Sequence, residues 1–301
     1  MQFKQFTAAA LTTVLFGVGA ASSVTAATLD RVKESGHIRF GYLPEAAPFT
    51  TKSAAGAEGY GASLCERIAE QVKGDLGLAS LTVDWVPVNG GSALSDVQQG
   101  TVDVLCTPTS VTLNRRHEVS YSVPVFPGGA RAVLRSDAPE SLREALSETP
   151  SLKPVWRGSP AAKTLRNTSV GVVSGTTAQP WLTGAISTFE IGARVVPVPD
   201  YRTGLQQLRE GKIDIFFGDR AAAAGAMDAA TRKDFVILDR IFTRELYALA
   251  LQRGDEDFRL AVDRALSTLY ASGDIANVYA KSFGPPGDAV RTFFLWNTMI
   301  Q

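Results

Sequence analysis

A succession of strand and helix patterns that occurs twice along the chain is the sequence feature that most constrains its fold. In the first predicted strand, Ile38, Phe40 and Tyr42 lie at alternate positions and therefore share one face. Strands are predicted over 37–42, 81–86 and 102–106 in the first copy and over 169–173, 193–197 and 213–217 in the second. Helices are predicted over 28–35, 64–72, 94–99, 178–188, 204–210, 258–271 and 275–283. Units of this kind are typical of parallel sheets, so the sequence predicts an α/β fold with two open, mostly parallel sheets flanked by helices.

The length of the chain fits two lobes better than one core. A chain of 301 residues lies near the size, about 250–300 residues, at which single hydrophobic cores stop growing. We expect residues 28–132 together with 244–301 to form lobe 1 and residues 136–240 to form lobe 2. The backbone would then cross between the lobes twice.

The first 26 residues have the pattern of a secretory signal. Lys4 supplies a positive charge near the start, residues 8–21 form a charge-free apolar run, and small residues precede Ala26. A membrane anchor is the alternative, but this run is shorter than the roughly 20 apolar residues that a bilayer needs. We therefore expect export and cleavage near Ala26.

The charge balance and the scarcity of metal-binding side chains argue against several classes of function. The 30 Lys and Arg residues balance the 30 Asp and Glu residues, so no net charge attracts the chain to nucleic acid or anionic lipid. Two cysteines and two histidines leave few ligands for a structural zinc site and disfavour a histidine-dependent triad. We expect no catalytic residue, no metal site, no cofactor and no nucleic-acid partner.

Cys65 and Cys106 are an even pair in a chain that we expect to enter an oxidising compartment. A disulfide between them is one interpretation, and two buried free thiols are the other. The residues by themselves leave both interpretations open.

Open parallel sheets bind ligands beyond the carboxyl ends of their strands, so the segments that follow these ends are candidate cleft walls. In lobe 1, Leu43 and Phe49 belong to a proline-containing loop after the first strand, where Phe49 is either a ligand contact or a core residue. A later segment places the hydroxyls of Ser110 and Thr112 close to the guanidinium of Arg115. This combination suits a carboxylate, although an Arg pair in solvent explains it too.

In lobe 2, Thr176 and Thr177 follow Gly175 at the start of a predicted helix. Free N–H groups at a helix N-terminus attract anions, but an ordinary N-cap is the simpler interpretation. Asp219 follows the last strand and could hold an ammonium group or pair with Arg220 on the surface. Together, the two lobes offer complementary groups to a zwitterion, and only a closed arrangement would satisfy both of its charges.

The ordered motifs resemble those of the family 3 extracellular solute-binding proteins, the amino-acid receptors of ABC importers. The resemblance rests on Gly100-Thr101-Val102-Asp103 and Gly211-Lys212-Ile213-Asp214, on Ser110, Thr112 and Arg115, on Gly175-Thr176-Thr177, and on the Cys65 and Cys106 pair of a glutamate/aspartate-receptor-like branch. It implies a two-lobed periplasmic-binding-protein fold and a Cys65–Cys106 disulfide. It also implies that Arg115, Ser110 and the Thr177 amide hold an α-carboxylate, while Asp219 holds the α-ammonium group.

Several positions depart from the acidic-ligand branch that the chain otherwise resembles. Leu43 and Ala93 stand where that branch has basic residues, and Tyr201 stands where it has a histidine. These departures disfavour glutamate and aspartate as ligands and leave the identity of the ligand open. Other candidates for the pocket wall, each of which is otherwise a core or surface residue, are Tyr60, Trp181, Tyr201 and Phe217.

The resemblance implies a monomeric periplasmic protein that captures an amino-acid-like molecule by lobe closure and delivers it to an ABC permease in the inner membrane. It implies a binding protein and not an enzyme. Two alternatives are a periplasmic enzyme on the same scaffold, similar to cyclohexadienyl dehydratase, and a ligand-sensing adaptor for a receptor.

Overall fold

Two large β-sheets organise the computed structural model, which describes residues 28–147 and 160–300. Its strands are β1 (His37–Tyr42), β2 (Glu45–Ala46), β3 (Thr50–Ser53), β4 (Gly56–Glu58), β5 (Thr82–Pro87), β6 (Val104–Ser110), β7 (Val119–Tyr121), β8 (Phe126–Gly128), β9 (Ala130–Arg135), β10 (Ser169–Val173), β11 (Arg194–Val198), β12 (Ile215–Asp219), β13 (Phe235–Ile237) and β14 (Glu245–Gln252). The small sheet β2-β3-β4 projects beside the first large sheet. The predicted signal sequence lies outside the described residues.

The helices are α1 (Thr28–Ser35), α2 (Tyr60–Asp75), α3 (Ala93–Gln98), α4 (Glu140–Ser147), α5 (Pro160–Leu165), α6 (Ala178–Thr188), α7 (Tyr201–Arg209), α8 (Arg220–Ala226), α9 (Glu256–Ala271), α10 (Ile275–Phe283) and α11 (Asp288–Trp296). Short 3₁₀ turns occur at Arg115–His117 and Arg232–Asp234. No helix within the described ranges combines the length and the apolar character needed to cross a membrane.

Lobe 1 contains the sheet β5-β1-β6-β14-β7, with β8 paired to β14. Strands β1, β5 and β6 are parallel, as predicted, and β14 is antiparallel to β6. Leu64, Ile68 and Val72 form the buried face of α2, because side chains four residues apart lie on one side of a helix. Together with Phe258 and Leu266 of α9 they fill the core of this lobe.

Lobe 2 contains the sheet β11-β10-β12-β9-β13, whose first three strands are parallel. All five residues of β10 and of β12 are buried, as expected for central strands that are covered on both faces. Leu182 of α6 lies in a cluster with Val172 and Ile215, and Leu208 of α7 lies in another with Phe216. Both lobes therefore have their own cores.

The boundary between the lobes differs from the prediction. Residues 130–132 were expected in lobe 1, but β9 begins at Ala130 and pairs with β12 of lobe 2 through Ala132 and Phe217. Phe242 also belongs to lobe 2, since its N–H donates to Ala130 O and its ring packs there. The backbone thus crosses near residue 129 and again between residues 242 and 245. Pro127, Gly128 and Gly129 directly precede Ala130, but the assignment of β9 to lobe 2 rests on its pairing with β12.

The disulfide between Cys65 of α2 and Cys106 of β6 is present. Both residues are fully buried, and the bond ties the main helix of lobe 1 to its central sheet across a sequence separation of 41 residues. The bridge that the family resemblance implied is confirmed.

We predict that the double substitution Cys65→Ala, Cys106→Ala lowers the free energy of unfolding by about 4 kcal/mol, because opening a loop of this length restores conformational entropy to the unfolded chain. Urea unfolding of the purified variant measures the effect. Reductant should destabilise the parent protein to a similar extent and leave the variant unchanged. Equal stability of parent and variant in oxidising buffer would contradict the prediction.

Candidate functional site

A cleft of about 630 Å³ lies between the two lobes. It is lined by the loop after β1, the end of β6, the loop after β10 and the end of β12. These are the four places at which the sequence predicted cleft walls, because the carboxyl ends of the parallel strands meet there. Arg115 of lobe 1 and Asp219 of lobe 2 both line this cleft.

Arg115 is held at the cleft by hydrogen bonds to both lobes. Its Nη1 donates to Thr109 Oγ1 at 3.1 Å and to Ser110 O at 2.9 Å. Its Nη2 donates to Gly175 O of lobe 2 at 3.2 Å. A guanidinium fixed in this way is suited to a carboxylate, because its planar donors can bind both oxygens.

Hydroxyl groups of the two lobes meet beside Arg115. Ser110 Oγ lies 3.4 Å from Thr177 Oγ1. Thr177 Oγ1 donates to Glu245 Oε2 at 2.6 Å, and Thr243 Oγ1 donates to Glu245 Oε1 at 2.8 Å. Because the proton of Thr177 is directed to Glu245, Ser110 is the donor in the contact between the lobes.

The start of α6 has free backbone donors. Thr177 occupies the N-cap position, but its side chain accepts no hydrogen bond from the helix, and Thr176 Oγ1 donates instead to Val173 O at 2.7 Å. The ordinary side-chain cap considered from the sequence is therefore not formed. The first amides of α6 retain the partial positive charge of a helix N-terminus at the edge of the cleft.

Asp219 is buried and is the N-cap of α8. Its Oδ1 accepts from the N–H groups of Ala221 at 2.8 Å and Ala222 at 3.1 Å, and its Oδ2 accepts from Gly129 N at 3.2 Å. The surface pair with Arg220 is thus not formed. Burial raises the pKa of the Asp219 carboxyl, and the backbone donors and the Tyr247 hydroxyl act against this rise without cancelling it. An ammonium group of a ligand would bind carboxylate oxygens that already accept these hydrogen bonds.

Glu245 and Tyr247 are among the cleft residues that were not predicted from the sequence, and Tyr201 had no assigned role there. Glu245 and Tyr247 lie at the start of β14, the strand on which the chain returns to lobe 1. The apolar run over 246–251 could have indicated this strand. Tyr201 lines the cleft, and its hydroxyl accepts from Asp219 N at 3.0 Å.

Some expected wall residues lie elsewhere. Thr112 is not part of the cleft lining. Its hydroxyl accepts from Arg115 N at 3.1 Å and so shapes the turn that carries Arg115. Phe49 touches the cleft but is a core residue, packed against Phe126, Tyr247 and Phe283. Tyr60, Trp181 and Phe217 also pack among other hydrophobic residues and do not line the cleft.

The remaining predicted residues, Leu43, Ser110, Arg115, Thr176, Thr177 and Asp219, all line the cleft. Leu43 is fixed by its own backbone, whose N–H donates to Thr107 Oγ1 at 2.9 Å and whose carbonyl accepts from Thr50 Oγ1 at 2.9 Å. The loop after β1 is thereby tied to β6.

The charges around the cleft are mostly negative. Among the described residues that line it, Arg115 is the cation, and the carboxylates are Glu45, Asp200, Asp219 and Glu245. Leu43 and Ala93 add apolar surface to the cleft. Within the described ranges no three His, Cys, Asp or Glu side chains are grouped to hold a metal ion. The cleft thus offers one site for an anionic group and repels a second one.

Comparison with known proteins identifies the family. The model of the bacterial extracellular solute-binding proteins, family 3, matches residues 38–285. The chain belongs to this family. An L-glutamate/L-aspartate-binding protein of Pseudomonas aeruginosa is 27% identical over 86% of this chain and 80% of its own length.

Solved structures share the fold of this solute-binding protein. A substrate-binding protein of an ABC uptake transporter from Streptococcus pneumoniae, with bound histidine, has a TM-score of 0.69 and 18% identity over 86% of this chain and 97% of its own. An ancestral amino acid-binding protein, described as a precursor of cyclohexadienyl dehydratase, has a TM-score of 0.67 and 21% identity over 86% of this chain and 100% of its own. At these identities the likeness establishes the two-lobed fold.

We predict that Tyr201→Phe lowers the free energy of unfolding by about 1–3 kcal/mol, because the Asp219 N–H loses its acceptor. The ring itself is retained against Phe216, so packing is preserved. Urea unfolding monitored by circular dichroism measures the change. A stability equal to that of the parent protein would show that this hydrogen bond does not support the site.

Proposed function

We propose that the protein captures a small amino-acid-like zwitterion in the cleft between its lobes and delivers it to an ABC permease in the inner membrane. The observation that carries the proposal is that a cation of lobe 1, Arg115, and an anion of lobe 2, Asp219, line one cleft. The relative from Pseudomonas aeruginosa is named for binding L-glutamate and L-aspartate, and the Streptococcus pneumoniae structure contains histidine. All three of these molecules carry an α-carboxylate and an α-ammonium group.

Each end of the ligand has its own partners in this proposal. The α-carboxylate binds the guanidinium of Arg115 and the Ser110 hydroxyl of lobe 1, together with the amide of Thr177 of lobe 2. The α-ammonium group binds Asp219. Because partners lie on both lobes, the ligand favours the closed arrangement by its difference in contacts between the two states. Binding and closure are then one event, without a chemical step.

The side chain of the ligand carries no negative charge in this proposal. Leu43 and Ala93 provide apolar surface, while Glu45 and Glu245 add negative charge to the cleft. A second carboxylate on the ligand would be left without a cation and would be repelled by these groups. Neutral and cationic amino acids are therefore expected to bind, and glutamate and aspartate are not.

The site of action follows from the family and from the start of the chain. Family membership places the protein among extracellular solute-binding proteins. We propose that residues 1–26 direct export to the periplasm and are removed near Ala26, and that the mature protein acts there as a monomer.

We predict that Arg115→Ala weakens ligand binding by about 2–5 kcal/mol, because the α-carboxylate of the ligand loses its charged partner. Isothermal titration with a panel of neutral, cationic and acidic amino acids, on protein freed of bound ligand by unfolding and refolding, measures the affinities. Arg116→Ala is the matched control, since Arg116 is exposed and lies outside the cleft. Normal binding by Arg115→Ala, or binding of no amino acid by the parent protein, would contradict the proposal.

We also predict that affinity declines as the pH is lowered through the pKa of Asp219, with a midpoint above the ordinary aspartate value of about 3.9. Burial raises this pKa, so the carboxylate is protonated and loses its charge at a higher pH than usual, while the ligand keeps its ammonium charge. Titrations at a series of pH values, with the fold checked by circular dichroism at each, test this. Constant affinity down to the ordinary aspartate range would speak against Asp219 as the ammonium partner.

A further inference from the structure

A second cavity of about 520 Å³ lies between the lobes, separated from the ligand cleft by α8 and Asp219. Ala222 and Ala226 of α8 line the ligand cleft, whereas Ala224 and Gly225 line this second cavity. We call it the rear cavity. Its walls come from both lobes, so its shape depends on how the lobes are arranged.

The wall of the rear cavity that lobe 2 provides carries three guanidinium groups. Arg131, Arg220 and Arg232 all line it. The carboxylate of Asp239 lies 3.7 Å from both Arg131 and Arg220, but its side chain is 97% exposed, and pairs with so exposed a partner are weak. Asp219, which also lines the cavity, directs its oxygens to the start of α8 and to Gly129.

The positive charges repel one another in this arrangement. The side chain of Arg131 is only 16% exposed. Burial, followed by the nearby charge of Arg220, lowers the pKa of the Arg131 guanidinium. An anion between the two guanidinium groups would relieve this repulsion and would be bound in the planar, paired manner that guanidinium groups favour.

The wall that lobe 1 provides is apolar and aromatic. It consists of Phe126, Tyr279, Phe283 and Val290, with the hydroxyl of Ser282 at its edge. Tyr279 and Phe283 have ring centroids 4.7 Å apart, and Phe126 lies 5.0 Å from Phe283. Such a surface accommodates an aromatic or branched hydrocarbon group.

We propose that the rear cavity binds a small carboxylate with an aromatic or branched apolar body, its carboxylate on Arg131 and Arg220 and its body on the aromatic wall of lobe 1. Both lobes contact such a molecule, so it stabilises the arrangement in which they are close together. Binding in the rear cavity and in the ligand cleft would then assist one another, since any such coupling is reciprocal.

The test uses benzoate as the probe and benzamide as its neutral counterpart of the same shape. Isothermal titration of the full mature protein should detect benzoate binding and give an affinity for benzamide at least about tenfold weaker. The double variant Arg131→Gln, Arg220→Gln should lose at least about tenfold in benzoate affinity. Arg67→Gln should not, because Arg67 lies on α2 away from the cavity.

Two further variants separate the possible outcomes. Arg131→Lys keeps the positive charge that Arg131→Gln removes. It should therefore retain more benzoate binding than Arg131→Gln. Arg116→Ala should bind benzoate normally, because Arg116 is exposed and lines neither cavity. Absence of benzoate binding, equal binding of benzamide, or unchanged affinity in the double arginine variant would each overturn the proposal.

Discussion

The backbone hydrogen bonds that hold β9 in the sheet of lobe 2 and β14 in the sheet of lobe 1 determine how the two lobes are connected. Strand β14 inserts between β6 and β7 of lobe 1, and β9 inserts between β12 and β13 of lobe 2. Each of the two sheets therefore contains a strand that begins where the backbone has just crossed between the lobes. The crossings are joined to each other, because Ala130 N donates to Thr243 Oγ1 at 2.8 Å and Phe242 N donates to Ala130 O at 2.9 Å. The two connections between the lobes therefore lie side by side.

Asp219 shows how one side chain can serve both the fold and the site. As the N-cap of α8 it accepts two helix amides, and it also accepts an amide from Gly129 at the first crossing. These donors allow a carboxylate to remain in a buried position where desolvation raises its pKa. The same position makes Asp219 a shared wall of the ligand cleft and the rear cavity.

Glu245 connects the second crossing to the ligand cleft. Its two oxygens accept from Thr243 at the crossing and from Thr177 at the start of α6, and Thr177 in turn contacts Ser110 of lobe 1. The lobes also approach closely at Gly225, where a Cβ atom would lie 2.5 Å from Ala47 O. A chain of polar contacts thus runs from the second crossing to the residues proposed to hold a carboxylate. A movement of the lobes would therefore alter the carboxylate site as well as the crossing.

The local part of the fold was predictable because it depends on neighbours in the sequence. The alternation over 37–42 and the apolar run over 169–173 were strands with those bounds, and the helices over 178–188 and 275–283 also matched. Parallel pairing of these units then placed the loops after the strands at one cleft, and with them Arg115 and Asp219. The cysteine pair required the family resemblance in addition.

What the sequence alone determined is thus the set of parallel units, the position of the cleft and several of its polar residues, namely Ser110, Arg115, Thr176, Thr177 and Asp219. Tertiary structure decided the lobe boundary at Ala130, the core position of Phe49, the turn role of Thr112 and the presence of Glu245 and Tyr247 in the cleft. It also decided that Arg131, Arg220 and Arg232, which belong to three different elements, line one cavity. The reason is physical: periodicity and caps arise between residues close along the chain, whereas the pairing of β9 with β12 and of β14 with β6 joins segments far apart in the sequence and depends on the whole fold.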